Sequence, residues 1–105
     1  MAVEKTPEFL AAIESSRKLL AKPTDDELLM LYALFKQGMQ DPPFESAPAP
    51  GTFDFKGKYK YNKWKSIVDD NISPEEAQTR YVDLIEKLKA KYGYDESKEP
   101  EQVGK

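Results

Sequence analysis

Apolar side chains recur at helical spacing in four stretches of the chain, and no stretch alternates apolar and polar residues as a half-buried strand does. The second stretch, Leu28 to Phe35, is apolar on nearly every side and carries only one polar group, a tyrosine hydroxyl. An amphipathic helix on a small core needs only one apolar stripe. The pattern therefore predicts an all-α protein of four helices, whose second helix has more apolar surface than the core uses.

Three of the four stretches open with residues that start helices. Thr6 is followed by Pro7, Thr24 opens a capping box, and Ser73 is followed by Pro74 and by glutamates. The first helix is predicted to extend to the residue before Pro23 and to bear the apolar positions Phe9, Ala12, Ile13, Leu19 and Leu20. The second helix should end near Gly38, the third should run from about Gly57 to Val68, and the fourth should end at Gly93.

Residues 38–55 lack a helical period and hold four of the eight prolines, which predicts a loop. Fully extended, such a loop spans on the order of 55 Å, whereas the second helix is only ~20 Å long. The loop can therefore pass over the bundle and start the third helix parallel to the second. A short loop would force the two helices to be antiparallel. Phe44, Phe53 and Phe55 are predicted to pin the loop to the body.

The length of 105 residues indicates one domain. We place this domain at residues 1–93. Residues 94–105 are polar and acidic, show no periodicity, and are predicted to form a disordered tail. The predicted fold is thus a four-helix bundle followed by a tail.

The composition excludes several kinds of chemistry. The chain has no cysteine and no histidine, so it offers no thiol nucleophile, no imidazole base and no zinc site of the usual kind. We predict no catalytic residue, no metal site and no cofactor. No apolar run approaches the ~18 residues of a membrane span, and the N-terminus lacks the pattern of a secretion signal. A cytoplasmic monomer without stable membrane insertion is expected.

The charge is unevenly distributed. Residues 56–65 contain five lysines and no acid, whereas the other 95 residues contain 11 basic and 19 acidic side chains, a net charge of −8. Such a run is usually a solvated helix face, yet no glutamates stand four residues on to pair with these lysines. An acidic protein with one basic segment is a poor nucleic-acid binder. A phosphorylated small molecule fits the segment better.

Several blocks resemble the acyl-CoA-binding protein family, in order and with similar spacing, over residues 9–92. The blocks begin with Lys22-Pro23, Asp26 to Leu29, and Leu31 to Gln37. They continue with Pro50 to Lys60, Trp64, Glu76-Ala77 and Tyr81-Val82. The resemblance implies an up-down-down-up four-helix bundle with a long overhand loop between the second and third helices. It also implies a non-catalytic carrier of long-chain fatty acyl-CoA thioesters.

The resemblance further implies which residues meet the ligand. The residues matching Tyr32, Lys36, Lys60 and Tyr81 hold the nucleotide end, especially the ribose 3′-phosphate, and Arg17 and Lys56 match further basic positions near the ligand. Phe35 stands at a ligand position where the family usually has tyrosine. The positions that line the acyl groove are matched by Phe9, Ile13, Leu28 and Leu29, and Ile13 replaces a small alanine.

Two other functions remain open from the residues themselves. By spacing alone, Tyr32 and Tyr81 read more readily as core aromatics than as ligand contacts. The apolar second helix could instead dock a partner helix, which would make the chain a helical protein–protein interaction domain. An acyl-CoA hydrolase or transferase ranks last, because histidine and cysteine are absent.

Overall fold

The structure is a computed structural model and describes residues 4–97. Within this range it contains four α-helices and one 3-10 turn: α1 (Pro7–Ser16), α2 (Asp25–Met39), the turn (Phe44–Ser46), α3 (Phe55–Asp69) and α4 (Pro74–Tyr92). The described residues form no strand beyond one isolated antiparallel bridge between Leu19 and Tyr94. The predicted all-α fold is confirmed.

Contacts between α2 and α3 show that the two helices run parallel. The Lys60 ammonium lies 5.2 Å from the centre of the Tyr32 ring. Just over one turn further along both helices, the Trp64 indole N–H donates to the Gln37 side-chain oxygen at 3.0 Å. Both residue numbers rise together, so the loop between the helices carries the chain back to the starting end of α2.

The fourth helix runs antiparallel to α2. Near its start, the Gln78 amide donates to the Gly38 carbonyl at 3.1 Å, and near its end Lys91 pairs with Glu27 at 2.9 Å. The same Gln78 side chain accepts from the Thr6 backbone N–H at 3.0 Å, just before α1 begins. Because the residues after α1 meet those after α4, α1 and α4 are parallel. The helices therefore run up, down, down and up.

The predicted helix starts match the observed ones. The Thr6, Thr24 and Ser73 side chains each accept a backbone N–H from the first turn of α1, α2 and α4. The third helix begins at Phe55, slightly earlier than predicted, because the Asp54 carboxylate caps it by accepting from the Gly57 N–H at 2.9 Å.

The first helix ends at Ser16, well before the predicted stop at Pro23. Beyond it, the Leu20 N–H donates to the Gly93 carbonyl at 3.0 Å and Leu19 bridges to Tyr94. These bonds to the end of α4 replace the helical ones, so the prediction of a helical Leu19 and Leu20 is wrong. Leu19 is buried, while Leu20 keeps 57% of its surface exposed.

The second helix ends one residue after Gly38, close to the predicted position, but Gly38 is not the residue that ends it. Gly38 is buried inside α2, where an added Cβ would lie 3.0 Å from both Phe9 Cζ and Gln78 Cγ. The glycine therefore allows close packing against α1 and α4. The helix ends at Met39 because Gln40 takes the left-handed conformation, with φ 53°, and its side chain donates to the Gln37 carbonyl at 2.8 Å.

One of the three phenylalanines expected to pin the proline-rich loop does so. Phe44 packs on Tyr61 and Trp64, with ring centres 4.9 and 5.1 Å away. Phe53 and Phe55 are 85% and 64% exposed, so the prediction is wrong for both. Phe55 opens α3 on the side that faces away from the bundle.

The first residues of the predicted tail are held against the body. Tyr94 forms the bridge to Leu19, and its ring centre lies 4.4 Å from the Lys89 ammonium. The Asp95 N–H donates to the Lys18 carbonyl at 3.3 Å. Residues 98–105 lie outside the described residues, so disorder there stays a prediction. Among residues 4–97, no helix is long and apolar enough to cross a membrane.

Candidate ligand-binding site

An open cavity of about 580 Å³ lies where the end of α1, the loop after it and α2 meet. Lys60 of α3 and Tyr81 of α4 complete its wall, so all four helices contribute. Its lining consists of Ile13, Ser16, Arg17, Leu19, Leu20, Ala21, Lys22, Pro23, Leu28, Leu31, Tyr32, Phe35, Lys60 and Tyr81.

Most of the cavity wall is apolar. Ile13 comes from α1, Leu28 and Leu31 come from the first half of α2, and Leu19 and Leu20 come from the loop between them. Leu28 and Leu31 point into the same space because they stand three residues apart on one helix. This wall is the extra apolar surface that the pattern of α2 predicted.

The polar groups of the cavity are hydroxyls and cations. Lys60 lies over the Tyr32 ring, and Tyr81 lines the cavity together with Ser16 and the Arg17 guanidinium. Burial raises the pKa of Tyr32. Burial also raises the pKa of Tyr81, although Ser16 and Arg17 oppose that shift. Both phenols therefore stay neutral at physiological pH and can donate a hydrogen bond to an anion.

Three aromatic rings form the floor beside these groups. Phe9 meets Tyr81 edge to face, with ring centres 5.3 Å apart, and Phe35 lies 6.4 Å from each of the two. Phe35 and Tyr81 reach the cavity, but Phe9 has 0% exposure and lies behind them in the core. Phe9 was predicted to line the groove, and the structure places it where it supports the lining residues.

A second cavity of about 420 Å³ lies on the other side of Tyr32, which lines both. Lys36 belongs to this second cavity, with its ammonium 5.4 Å from the centre of the Trp64 ring. The remaining lining comes from α3 and from the proline-rich loop: Pro42, Ala47, Pro48, Ala49, Pro50, Gly51, Asp54, Gly57 and Tyr61. Tyr32 thus stands between Lys60 on one side and Lys36 on the other.

The structure brings together most of the predicted site residues. Arg17, Tyr32, Phe35, Lys60, Tyr81, Ile13 and Leu28 line the first cavity. Lys36 is reached through the second cavity, and Phe9 lies behind the wall. Two predicted residues line neither cavity: Lys56 is exposed in the first turn of α3, and Leu29 is half-buried on α2.

Sequence reasoning missed the loop as a wall of the site. Residues 19–23 line the first cavity, but their spacing was read as a continuation of α1. Pro23 marked the far limit of this stretch, but no local signal indicated that α1 would end as early as Ser16. Ser16 also lines the cavity together with Tyr81, and nothing in the sequence indicated that it would.

The lysine-rich segment is less uniform than its sequence suggests. The expectation that its lysines lack acidic partners four residues on is wrong for Lys65, which pairs with Asp69 at 2.9 Å. Lys58 donates to the Thr52 carbonyl at 2.6 Å. Of the five lysines, Lys60 alone lines the first cavity.

Comparison with known proteins agrees with this geometry. Residues 6–85 match the protein family described as "Acyl CoA binding protein". The chain belongs to the acyl-CoA-binding protein family. Among curated relatives, an acyl-CoA-binding protein homolog of Caenorhabditis elegans is 42% identical over 88 residues, which is 84% of this chain and 98% of that protein. The acyl-CoA-binding protein of Saccharomyces cerevisiae is 39% identical over 84 residues, covering 80% of this chain and 92% of that protein.

The fold agrees with a solved family structure. The crystal structure of Oryza sativa acyl-CoA-binding protein 2 superposes with a TM-score of 0.69 at 30% sequence identity. The match covers 80% of this chain and 89% of that chain. The four-helix architecture derived from the contacts is thus that of the family.

Proposed function

We propose that this chain binds long-chain fatty acyl-CoA thioesters and carries them in the cytoplasm, as a monomer, without chemically changing them. The observation that carries the proposal is one open cavity that joins an apolar wall to a cluster of phenol hydroxyls and cations. An acyl-CoA has the same division, since an apolar chain is attached to a nucleotide with several phosphate charges.

The apolar wall suits the acyl chain. Each methylene removed from water contributes ~0.8 kcal/mol, so a long chain contributes on the order of 10 kcal/mol before the costs of ordering are subtracted. Leu28, Leu31 and Ile13 supply that wall, and Leu20 gives it an exposed rim. We keep Leu29 and Phe9 as proposed groove residues. Leu29 is half-buried on α2 beside the wall, and Phe9 supports the lining residues from the core.

The polar side of the cavity suits the nucleotide end. A phosphate monoester carries about −1.5 to −2 charges and forms strong bonds to cationic and hydroxyl donors. Tyr32 lines both cavities, with Lys60 over its ring in the first and Lys36 in the second, so its hydroxyl lies in the region between the two cations. We assign the ribose 3′-phosphate to this region, while Tyr81, Arg17 and Phe35 bound it on the side of α1.

Lys56 is assigned an outer role. It stands one turn before Lys60 on α3, so the two side chains project on the same side of the helix. From this exposed position it can meet phosphates that extend beyond the mouth of the cavity.

A protein–protein interaction domain is the second candidate, because the same apolar wall on α2 could receive a partner helix. The concave shape of the site and the cations around Tyr32 favour a small ligand with an anionic head. A hydrolase ranks last because the chain has neither histidine nor cysteine.

A calorimetric titration tests the proposal with three ligands: palmitoyl-CoA, free CoA and palmitate. We expect strong binding only for the intact thioester, because it alone fills both the apolar and the charged part of the site. Equal affinity for palmitate would place the binding in the apolar wall alone and would contradict the assigned nucleotide contacts. Saturable release of free thiol from palmitoyl-CoA would contradict the non-catalytic part.

A further inference from the structure

The outer side of α3 exposes aromatic rings. Phe55 and Tyr59 stand one turn apart on the same side of the helix and are 64% and 66% exposed. Phe53 precedes them in the loop with 85% exposure. The inner side of the same helix is formed by the buried Trp64 and Ile67, so these exposed rings contribute nothing to the core.

Lysines flank the exposed rings on both sides. Lys56 and Lys63 are seven residues apart and share one edge of the helix, while Lys58 and Lys65 share the other edge by the same spacing. We call this surface the outer face of α3; its members are Phe55, Lys56, Lys58, Tyr59, Lys63 and Lys65. Its middle continues along the helix through the exposed Asn62 and Ser66.

The cations lie where the helix itself disfavours them. The positive end of the helix dipole is at the first turn, and α1, α2 and α4 all place acidic residues there. The first turn of α3 contains no acid, although the Asp54 carboxylate caps it, and Lys56 and Lys58 lie at or next to this turn. The whole helix contains a single acidic side chain, Asp69, in its last turn.

Lys58 and Lys65 have partners within the protein, the Thr52 carbonyl and Asp69. Lys56 and Lys63 form no ion pair among the described residues and leave positive charge for an anionic partner.

We propose that the outer face of α3 docks on the surface of a bilayer that contains anionic lipids. Aromatic rings favour the headgroup level of a membrane, and lysines are attracted to anionic lipids. Outside residues 56–65 the chain carries a net charge of −8, so positive charge is concentrated on this helix, where it can meet a negative surface. A nucleic-acid duplex would pair with the lysines, but its bases are stacked on one another and would leave Phe55 without an apolar contact.

The position of the face relative to the cavity adds a consequence. Lys60 lines the cavity and belongs to the same turns of α3 as Tyr59 and Lys63. Docking through the outer face would therefore hold the mouth of the cavity near the lipid headgroups. This consequence rests on the proposed function, whereas the docking itself does not.

Vesicle co-sedimentation tests the proposal on the ligand-free chain of 105 residues. One set of vesicles contains phosphatidylcholine alone, and the other contains phosphatidylcholine and phosphatidylserine in equal amounts. We expect binding to the anionic vesicles only, weakened by added salt. Lack of preference for the anionic vesicles would overturn the proposal.

Paired variants locate the surface. The double variant Phe55→Ser with Tyr59→Ser should bind the anionic vesicles about tenfold more weakly. The double variant Lys63→Gln with Lys65→Gln should bind them at least about fivefold more weakly. As matched controls, Leu10→Ser and the pair Lys18→Gln with Lys87→Gln change similar groups on α1, on the loop after it and on α4. The outer face is not the docking surface if the control variants lose as much vesicle binding as the α3 variants. The same conclusion follows if the α3 variants bind the vesicles as well as the parent protein does.

Acyl-CoA titration without vesicles separates this proposal from the proposed function. We expect the variants Phe55→Ser with Tyr59→Ser to bind palmitoyl-CoA as the parent protein does. A protein that binds anionic vesicles but not palmitoyl-CoA would refute only the carrier function. A protein that binds palmitoyl-CoA but not anionic vesicles would refute only the docking surface.

Discussion

The two ends of α2 stand in opposite surroundings. At the C-terminal end, the Gln37 amide donates to the Ile72 carbonyl at 2.9 Å and accepts from the Trp64 indole at 3.0 Å. Beside it, Gly38 leaves no room for a larger side chain. At the N-terminal end, Leu28 and Tyr32 face an open cavity of about 580 Å³. One helix thus has a closed end, whose polar groups are paired, and an open end, whose apolar surface and donors remain available.

This difference separates stability from binding along one helix. Buried polar groups are costly when unpaired, so the closed end should dominate the free energy of unfolding. The open end has apolar surface in contact with water, which costs stability and leaves room for a ligand. Substitutions of the paired, buried groups at the closed end should therefore change unfolding, and substitutions of residues that line a cavity should change affinity.

The largest effect is expected from Gln37→Leu at the closed end. The substitution leaves the Trp64 N–H and the Ile72 carbonyl buried without these partners, at a cost of ~1–3 kcal/mol for each group. Urea unfolding followed by circular dichroism measures the loss. Asn62→Leu is the matched control, since Asn62 is exposed on α3, and it should change stability by no more than ~0.5 kcal/mol.

Affinity sharpens that first test. Gln37 lines neither cavity, so the folded variant should bind palmitoyl-CoA as the parent protein does. If Gln37→Leu lowers the affinity for palmitoyl-CoA by more than it lowers the free energy of unfolding, the two ends of α2 are coupled. Stability and binding would then not be separated along this helix.

The second effect is expected from Lys60→Ala at the open end. The substitution removes a cation beside Tyr32 and should weaken palmitoyl-CoA binding by ~1–3 kcal/mol, the range for a hydrogen bond to a charged group. Stability should stay nearly constant because Lys60 is exposed. Lys63→Ala, one turn further along α3 and outside both cavities, is the control. Equal losses in the two variants would indicate only a general charge effect.

A series of acyl-CoAs with different chain lengths tests the apolar wall. Affinity should rise by at most ~0.8 kcal/mol for each added methylene and then level off when the chain outgrows the wall. The heat-capacity change should become more negative in parallel, because it follows the apolar area buried. Calorimetry at two salt concentrations completes the test, since salt should weaken every member by a similar factor. Affinity independent of chain length would assign the wall to a protein partner.

The fold was largely predictable because its signals are local. Side-chain caps at Thr6, Thr24 and Ser73 depend on neighbours three residues away, and all three were found where predicted. The errors arose where distant residues decide. Gly38 is a packing residue because Phe9 and Gln78 approach it, and α1 stops early because Leu20 bonds to Gly93. Neither contact leaves a trace in the local pattern.

The candidate site shows the same limit. The resemblance to the family selected Tyr32, Lys60 and Tyr81, which the structure brings to one cavity. It could not tell that Phe9 lies behind the wall instead of in it, because a core and a groove both select a large apolar residue. The loop of residues 19–23 was missed for the same reason as the early end of α1. Both depend on contacts with the end of α4, which lies far away in the sequence.

The open end of α2 is held to α4 at the surface. The Glu27 carboxylate accepts from the Lys91 ammonium at 2.9 Å, from the Tyr92 hydroxyl and from the Thr24 backbone N–H at 2.8 Å. Lys91, then Tyr92 and Thr24, lower the pKa of Glu27 from its usual 4.5 to about 2. The closed end uses buried amides for the same purpose, so the two ends should respond differently to acid.

We expect the smallest effect in acid unfolding, and it should belong to the open end. Because the pKa of Glu27 is lower in the folded state, its contribution to stability is complete above about pH 4.5 and is lost as the pH falls towards about 2. Glu27→Gln should flatten the pH dependence of the unfolding midpoint across that window, and the exposed Glu86→Gln should leave the slope unchanged. Gln37→Leu should lower stability equally at every pH, because an amide does not titrate. Equal slopes in the Glu27 variant and the parent protein would show that this carboxylate does not hold the open end.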